Sequence, residues 1–426
     1  MPVESVVKEG VDATASAVVT RRRMHFVRGF GPGLVSGASA NDPTTVGSIA
    51  VVGAATGYAM GWLVVLLLPL LAIVQSIAAS VATVSQKSLQ QAIIDTLGRR
   101  AAVAAALSIV VVSLFTLGAD IQAGAQALSI ICGGIPYQLF VIPLVVVAGW
   151  LLATKSYMRV ERILACFTPV FLCYLVSAIL ARPNWGDVLR GILVPHIAFT
   201  PLFLTGAIAL LGTTLTGYVY FWESIEVAER HPRPGDAAKM SADAAIGIVV
   251  AGSSFLFILV ATAATAGVHH LPMQSATDAA VALKPLAGPA SQILFGVGLL
   301  ASAAIAIPII SATNGYVIAQ TLGLPAGLRH GVREARVFYG VIFASLAVSS
   351  ALALAPISTM WLLYWASVAA GIATPVTLVM VMMVATNRKA MHGRPVSPLL
   401  ACGGWAVTGI VTLSAGAFIW SILPRH

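Results

Sequence analysis

Residues 37–47 read Gly-Ala-Ser-Ala-Asn-Asp-Pro-Thr-Thr-Val-Gly, a polar stretch in the middle of the first long apolar block of the chain. Pro43 has no backbone N–H and pushes the preceding residue away from helical geometry, so a helix here is predicted to break at Asn41–Asp42–Pro43. A break frees backbone carbonyl groups beside the carboxylate of Asp42, and oxygen atoms in this arrangement are typical of a cation site. The simpler alternative is a proline kink in which neighbouring N–H groups satisfy Asp42.

The sequence around this stretch is too apolar for a soluble protein. Of 426 residues, 58% are hydrophobic and 9% are charged, whereas soluble domains carry about 25% charged residues. Disordered chains are rich in charge and poor in apolar residues, so the same figures exclude disorder. The apolar residues come in blocks of about 20 or more, enough to cross a hydrocarbon layer of roughly 30 Å as helix. The composition predicts an all-α polytopic membrane protein whose surroundings are the lipid bilayer.

Apolar blocks and turn signals predict eleven transmembrane helices. They lie near residues 31–53, 57–84, 101–131, 136–154, 162–182, 199–226, 244–268, 291–320, 337–354, 357–386 and 398–422. This division gives a cytoplasmic N-terminal segment over 1–28, a membrane core over 29–397, and an eleventh helix with the C-terminus over 398–426.

The basic residues predict how the chain is oriented. Lys and Arg concentrate in cytoplasmic loops, and an N-terminus on the inside places 20 of the 24 basic residues in inside segments. We therefore expect a protein of the plasma (inner) membrane with its N-terminus inside and its C-terminus outside. The net charge of +9 belongs to these loops and not to a soluble basic domain, so no nucleic-acid partner is expected. No short apolar segment with a small-residue cleavage site precedes the first span, so no removable signal peptide is predicted.

The sixth span contains a second interruption. Residues 212–224 read Gly-Thr-Thr-Leu-Thr-Gly-Tyr-Val-Tyr-Phe-Trp-Glu-Ser, in which two glycines bracket three threonines. Interrupted apolar segments at matching places in two halves of a chain indicate a transporter site. The first and sixth spans correspond to each other if spans 1–5 and 6–10, residues 29–182 and 199–390, form an inverted repeat, although the residues themselves show no clear repeat. Small residues that allow close helix packing are the alternative for the sixth span.

Few ionisable groups remain inside the predicted spans, and each is a functional hypothesis because charge is costly there. Asp120 lies well inside the third span, where three interpretations stay open: a proton carrier, a structural partner of the broken helices, or a hydrogen-bonded residue without a further role. Glu223 and Glu226 lie three residues apart towards the inner end of the sixth span. They are predicted to line a cytoplasmic exit for cations, with a purely structural role as the alternative for Glu223.

These stretches resemble the NRAMP family of divalent-metal transporters (natural resistance-associated macrophage proteins). Gly31-Pro32-Gly33 followed by Asp42-Pro43 is similar to the family's Gly-Pro-Gly…Asp-Pro-Gly-Asn, and Gly212-Thr-Thr-Leu leads into its helix-six motif. Gly-Tyr-Ala-Met-Gly-Trp at 57–62, Gln75 and Gly134-Ile135-Pro136 continue the match, which covers about residues 28–395. The resemblance implies the 5+5 inverted-repeat fold of the amino acid–polyamine–organocation superfamily, with a metal site between broken helices one and six.

The sequence departs from the family where the family binds its metal. The Asn after Asp-Pro-Gly is here Thr45, and the Met-Pro-His of helix six is here Thr216-Gly217-Tyr218. A second His of that helix corresponds to Glu223. Replacing a thioether by a hydroxyl leaves an oxygen-only site, which favours a hard ion such as Mg²⁺ over the Mn²⁺ or Fe²⁺ that the family usually carries. Members of the family that move Mg²⁺ also lack the methionine.

A second departure concerns protons. On helix three the family has an Asp and a Glu in its proton path, and the corresponding positions are Gly118 and Ile121, with Asp120 between them. Because these carriers and the helix-six histidines are missing, proton coupling in the family's usual form is not expected. A new route through Asp120 stays open.

We therefore expect a secondary transporter that moves a divalent cation by alternating access. Asp42 is the expected metal-binding carboxylate. Hydroxyl and carbonyl oxygens at the two breaks complete the expected binding set, from Asn41, Thr45, Leu215, Thr216 and Gly217. The expected pathway residues are Asp120, Tyr218, Glu223 and Glu226. The cation is the cargo, and no tightly bound cofactor is expected.

Two other functions are compatible with the same sequence. One is transport of a small organic solute on the same fold, in which helix N-termini at the breaks hold a carboxylate. The other is a non-transporting sensor or scaffold, although no segment marks a receptor domain. An enzyme is not expected, because no nucleophile–base pair, His-Glu-x-x-His or phosphate loop occurs in the chain. The oligomeric state does not follow from the sequence.

Overall fold

The computed structural model describes residues 40–154, 163, 172–231, 233–267 and 289–422, and within these ranges helices joined by short connections form the protein. The α-helices are α1 (Pro43–Thr56), α2 (Gly61–Ser85), α3 (Leu89–Leu97), α4 (Arg99–Ile131), α5 (Gln138–Thr154), α6 (Leu172–Leu180), α7 (Trp185–Leu193), α8 (Pro201–Thr214), α9 (Gly217–Arg230), α10 (Ala237–Thr262), α11 (Pro289–Leu322), α12 (Arg336–Leu354), α13 (Thr359–Thr386) and α14 (Pro398–Ile422). A 3₁₀ turn (Pro234–Asp236) precedes α10, and a π-helical turn (Ala263–Gly267) extends it. The predicted all-α class is confirmed.

Within the described residues, eight predicted spans correspond to helices that are long and apolar enough to cross a membrane. These are α2, α4, α8 together with α9, α10, α11, α12, α13 and α14. The fourth predicted span is α5, which has 17 residues. α1 and α6 are the second parts of the first and fifth predicted spans, whose first parts fall largely outside the described residues, as does the N-terminal segment 1–28. The total of eleven spans stays a prediction.

Two helices in the connections have no counterpart among the predicted spans. α3 begins after Ser88, whose hydroxyl accepts a hydrogen bond from the N–H of Gln91. α7 begins after Asn184, whose side-chain oxygen accepts one from the N–H of Gly186. Both helices have nine residues and mix apolar with polar side chains, so no long apolar block marks them in the sequence.

Contacts between the connections group them at two ends of the helices. At one end α7 packs on the connection between α1 and α2, where a Cβ added to Gly191 would lie 2.2 Å from the carbonyl oxygen of Tyr58. At the other end the Ser88 hydroxyl donates to Gln320 Oε1 at 2.7 Å. This grouping agrees with a chain that crosses the membrane alternately. The inside position of the N-terminus stays a prediction.

The third predicted span, α4, packs against several of the other helices, including α1. It packs most extensively against α11, and also against α12, α13 and α1. α8 and α13 approach each other at Gly212, where an added Cβ would lie 2.1 Å from the carbonyl oxygen of Ser367 and 2.3 Å from the N atom of Gly371. Close helix packing is therefore the correct interpretation for Gly212, and the interruption of the sixth span lies after this residue.

Candidate cation site at the two helix breaks

α1 begins with the carboxylate of Asp42 at its N-terminus. Asp42 has extended backbone geometry, with φ −63° and ψ 159°, and the helix starts at Pro43. The Oδ1 atom of Asp42 accepts a hydrogen bond from the N–H of Thr45 at 2.6 Å. The positive end of the helix dipole favours such an N-cap carboxylate. The predicted non-helical geometry is confirmed at Asp42, and a local N–H group does bind one oxygen of Asp42. The break of the first span stays a prediction, because residues 31–39 lie outside the described residues.

The sixth span is interrupted at Leu215 and Thr216, as the sequence predicts. α8 ends at Thr214 and α9 begins at Gly217. Thr216 is the N-cap residue of α9, with φ −62° and ψ 142°, and its side chain makes no capping hydrogen bond. The carbonyl oxygen of Leu215 accepts a hydrogen bond from the Thr374 hydroxyl at 3.2 Å. Since a carbonyl oxygen has two lone pairs, this bond leaves room for one further donor or ion.

The start of α1 and the interruption between α8 and α9 meet through side-chain oxygens. The hydroxyl of Tyr218, on the first turn of α9, donates to Asp42 Oδ2 at 2.6 Å. The hydroxyls of Thr45 and Thr213 are 2.8 Å apart. Asp42 and Tyr218 are each 1% exposed. Oxygen atoms from the start of α1 and from the interruption of the sixth span therefore converge in one buried region.

Thr213 is a site residue that was not among the predicted ligands. Thr216 is the predicted threonine ligand of this span because it corresponds to the family's methionine. In the structure Thr213, on the last turn of α8, is the threonine that contacts Thr45. The hydroxyl of Thr214 is buried and has no hydrogen-bond partner among the described residues. The cluster of three threonines was the signal in the sequence, and only the rotation of α8 about its axis decides which hydroxyl faces α1.

Asp120 reaches the first break from the middle of α4. Its Oδ1 atom accepts hydrogen bonds from the N–H of Thr44 at 3.0 Å and from the Thr44 hydroxyl at 2.6 Å. Its Oδ2 atom is buried without a hydrogen-bond partner among the described residues. These contacts support the interpretation of Asp120 as a structural partner of a broken helix. They also place a second carboxylate at the N-terminus of α1, beside Asp42.

Asn41 and Gly217 border the site through contacts with other helices. The side-chain oxygen of Asn41 accepts a hydrogen bond from the hydroxyl of Ser254 on α10. A Cβ added to Gly217 would lie 3.0 Å from the side chain of Ile109 on α4. These contacts fix the two breaks against helices that do not themselves break.

Glu223 and Glu226 are buried in α9, with exposures of 1% and 0%. α9 packs against α2 along this segment of the structure. The N–H of Leu89, the first residue of α3, donates to the hydroxyl of Ser224 at 3.0 Å, so α3 covers this part of α9. The two carboxylates are therefore inside the protein, on the turns that follow Tyr218, and their role in an exit path stays a prediction.

A small pocket lies against the break of the sixth span. Its volume is about 10 Å³, and Thr216, Gly217 and Tyr218 line it together with Ile109 and Thr374. A pocket of this volume is close to the size needed for one water molecule. The predicted ligand Thr216 therefore borders space for one small polar molecule next to the Tyr218 ring.

The side-chain groups that meet at the site offer oxygen atoms as ligands. The two carboxylates and the hydroxyls of threonine and tyrosine are hard ligands, the type that Mg²⁺ and Ca²⁺ prefer. Among the described residues, no group of three or more His, Cys, Asp and Glu side chains could hold a metal ion. The arrangement suits a cation that is bound by one carboxylate and neutral oxygens, and that keeps part of its water shell.

The family model described as "Natural resistance-associated macrophage protein-like" matches residues 33–421. The divalent metal cation transporter MntH of Deinococcus radiodurans is 24% identical over 426 aligned residues, covering 96% of this chain and 93% of that protein. MntH of Mycobacterium tuberculosis is 28% identical over 321 residues, covering 69% of this chain and 70% of that protein.

Solved structures show the same fold. The manganese transporter of Eremococcus coleocola matches with a TM-score of 0.72 at 19% identity, covering 93% of this chain and 88% of that one. A transporter of the nucleobase-cation-symport-1 family matches with a TM-score of 0.61 at 15% identity, covering 92% of each chain. These matches confirm the predicted fold class.

Proposed function

The chain belongs to the natural resistance-associated macrophage protein-like family, and from this membership we propose that it carries a divalent metal cation across the membrane by alternating access. The relatives named above are divalent metal cation transporters. The observation that carries the proposal is the position of Asp42, a buried carboxylate where the breaks of two spans meet. Transporters place substrate sites between interrupted helices of this kind.

Asp42 is the proposed charged ligand. Its carboxylate is buried at the start of α1, and it accepts a hydrogen bond from Tyr218 on the first turn of α9. The backbone is not helical at Asp42 or at the Leu215–Thr216 interruption. Carbonyl groups near Asn41 and at Leu215 therefore lack the regular hydrogen bonds of a continuous helix. Movement of either half-helix changes the distance between these oxygens, which couples ion binding to the opening of the protein.

Neutral oxygens complete the proposed site. Thr45 supplies a hydroxyl on the first turn of α1, and Thr216 supplies one at the N-cap of α9, next to Gly217. Thr213 joins them because its hydroxyl lies 2.8 Å from that of Thr45. Without a thioether, the set favours a hard ion, so we propose Mg²⁺ ahead of Mn²⁺ and Fe²⁺.

A path for the ion is proposed along α9. Tyr218 lies at the site, and Glu223 and Glu226 follow it on the next turns of the same helix. Buried carboxylates attract a cation that leaves the site. Asp120, on α4, binds Thr44 next to Asp42, and in its ionised form it adds negative charge near the site. The ion is cargo and not a resident cofactor.

An organic acid as the substrate finds less support. A carboxylate solute would need free N–H groups at a helix N-terminus. At α1 the N–H of Thr44 binds Asp120, and the N–H of Thr45 binds Asp42. The N-terminus of α1 therefore carries two carboxylates of the protein itself, which repel an anionic group.

Calorimetry on the purified protein tests the proposal. The protein is titrated with Mg²⁺, Mn²⁺ and Cd²⁺ and compared with the Asp42→Ala variant, in which binding of all three ions should fall by about a hundredfold or more because the charged ligand is gone. Asp95→Ala is the matched control, since Asp95 is an exposed acid paired with Lys87 at 2.5 Å. Wild-type protein that binds none of the three ions would contradict metal transport and would direct the search to cationic or neutral organic solutes.

A further inference from the structure

Both carboxylate oxygens of Asp42 are bound by donors of the protein. Oδ1 accepts from the N–H of Thr45 and Oδ2 accepts from the hydroxyl of Tyr218, each at 2.6 Å. The two donors differ in kind. The N–H of Thr45 is part of the same helix end as Asp42, whereas Tyr218 belongs to α9, on the other side of the break.

A buried carboxylate is costly unless a partner satisfies it. A transporter needs such a carboxylate to attract the cation, but it must also return to its starting conformation with the same carboxylate buried after the cation has left. During that return no cation satisfies Asp42. A donor that reaches Asp42 from the opposite broken helix removes this cost and holds the two breaks together.

We propose that the Tyr218 hydroxyl is an internal substitute for the transported cation. It binds Asp42 Oδ2 in the ion-free protein, so that the two interrupted spans can close around a satisfied carboxylate, and it must leave Oδ2 when a cation binds. This inference rests on the proposed function. The O–H proton and a cation compete for the same oxygen, so the hydroxyl lowers affinity for the ion and accelerates the return of the ion-free protein.

The position of Tyr218 supports this role over packing alone. A phenylalanine would fill nearly the same volume, yet the hydroxyl is directed to Asp42, the carboxylate that caps α1. Tyr220 provides a contrast two residues later on α9. It is also fully buried, and its hydroxyl pairs with the hydroxyl of Thr377 on α13, away from Asp42.

The Tyr218→Phe variant tests the inference, with Mn²⁺ as the probe. Removing the hydroxyl leaves Oδ2 without a donor in the ion-free protein, so the dissociation constant for Mn²⁺ should fall by about tenfold. In proteoliposomes, net uptake of Mn²⁺ should slow several-fold, because it requires the ion-free return. Exchange of internal for external Mn²⁺ avoids that step and should be retained.

Tyr220→Phe is the matched control, because it removes a buried tyrosine hydroxyl from the same helix without touching Asp42. It should leave both the affinity and the ratio of net uptake to exchange unchanged. A role of Tyr218 in packing would lower uptake and exchange together and would leave this ratio constant.

The outcomes separate the two proposals. If the wild type binds Mn²⁺ through Asp42 and Tyr218→Phe binds it no more tightly, the inference is overturned and the proposed function stands. Weaker binding in Tyr218→Phe also overturns it, since the phenol would then be a ligand. Absence of Mn²⁺, Mg²⁺ and Cd²⁺ binding in wild type and variant overturns the proposed function and the inference with it.

A second variant covers the case in which Tyr218→Phe does not fold. 3-Fluorotyrosine introduced at position 218 keeps the ring and the hydroxyl and makes the hydroxyl a stronger donor. It should weaken Mn²⁺ binding several-fold, opposite to the effect of phenylalanine, and an unchanged or tighter dissociation constant overturns the inference.

Discussion

Asp120 and Thr44 join the third span to the break in the first. One carboxylate oxygen of Asp120 accepts hydrogen bonds from both the N–H and the hydroxyl of Thr44, at 3.0 and 2.6 Å. Asp42 binds the next N–H along the chain, that of Thr45. Two buried carboxylates therefore share the N-terminus of α1. When Asp120 is ionised, its charge adds to the negative potential that attracts a cation to Asp42.

Asp120→Asn should weaken Mg²⁺ binding by about tenfold, because it removes one negative charge near the site. The amide oxygen can still accept both bonds from Thr44, so the fold should be retained. Calorimetry measures the affinity, and Asp95→Asn at the exposed Lys87 pair controls for the loss of any one charge. An unchanged affinity would mean that Asp120 only holds α1 in place.

Metal uptake by the wild-type protein should not acidify the interior of proteoliposomes. Gly118 and Ile121 stand where the resemblance places proton carriers, and neither side chain can bind a proton. A pH-sensitive dye inside the vesicles measures this during Mn²⁺ uptake. Acidification in the wild type that disappears in Asp120→Asn would contradict the prediction and would make Asp120 the proton carrier.

The hydroxyls of Thr45 and Thr213 should act as a pair. Thr45→Val and Thr213→Val keep the side-chain shape, and each should weaken Mg²⁺ binding by about three- to tenfold, because either loss removes one oxygen and the orientation of the other. The double variant should lose less than the product of the two effects, since the residues are in contact. Calorimetry on the wild type, the two single variants and the double variant gives the coupling free energy of the two hydroxyls in Mg²⁺ binding.

Thr386→Val is the control for that cycle. Its hydroxyl bonds to the Met382 carbonyl of its own helix, at the end of α13. Its effect on Mg²⁺ binding should be negligible. If the double variant loses Mg²⁺ affinity by the full product of the two single effects, the hydroxyls of Thr45 and Thr213 do not act together at the ion.

The positions of the two breaks follow from the sequence because they depend on local chemistry. Pro43 cannot continue a helix from the preceding turn, and α1 starts there. Gly217 follows the threonine cluster, and α9 starts there. The long apolar blocks likewise predict the spanning helices within a few residues, since length and composition decide whether a segment crosses a membrane.

The contacts across the breaks do not follow from the sequence. Whether Thr213 or Thr216 meets Thr45 depends on how α8 is rotated, and packing at Gly212 against α13 sets that rotation. The bond between Asp120 and Thr44 links residues 76 positions apart, so no local pattern reveals it. α3 and α7 are also absent from the sequence prediction, because short amphipathic helices in the connections resemble ordinary polar loops.

Thr216→Met should change which ions the protein prefers. A thioether is a soft ligand, so it should strengthen Cd²⁺ binding relative to Mg²⁺ by about tenfold, in the direction of a transition-metal site. Competition between Cd²⁺ and Mg²⁺ in calorimetry measures the ratio. Thr386→Met adds the same side chain outside the site and should leave the ratio unchanged. An unaltered ratio in Thr216→Met would exclude residue 216 from the ligands of the ion.

Gly191→Val should detach α7 from the connection between α1 and α2. The Cβ atom of any larger residue would lie 2.2 Å from the carbonyl oxygen of Tyr58, and a backbone group cannot move aside as a side-chain end can. Arg190, on the same helix, is exposed but held in helical geometry. Trypsin should therefore cleave after Arg190 at least about tenfold faster in the variant, because proteolysis follows local opening. Gly416→Val in α14, where an added Cβ meets no atom within 4 Å, should keep the wild-type rate, and equal rates in all three proteins would show that α7 does not depend on this contact.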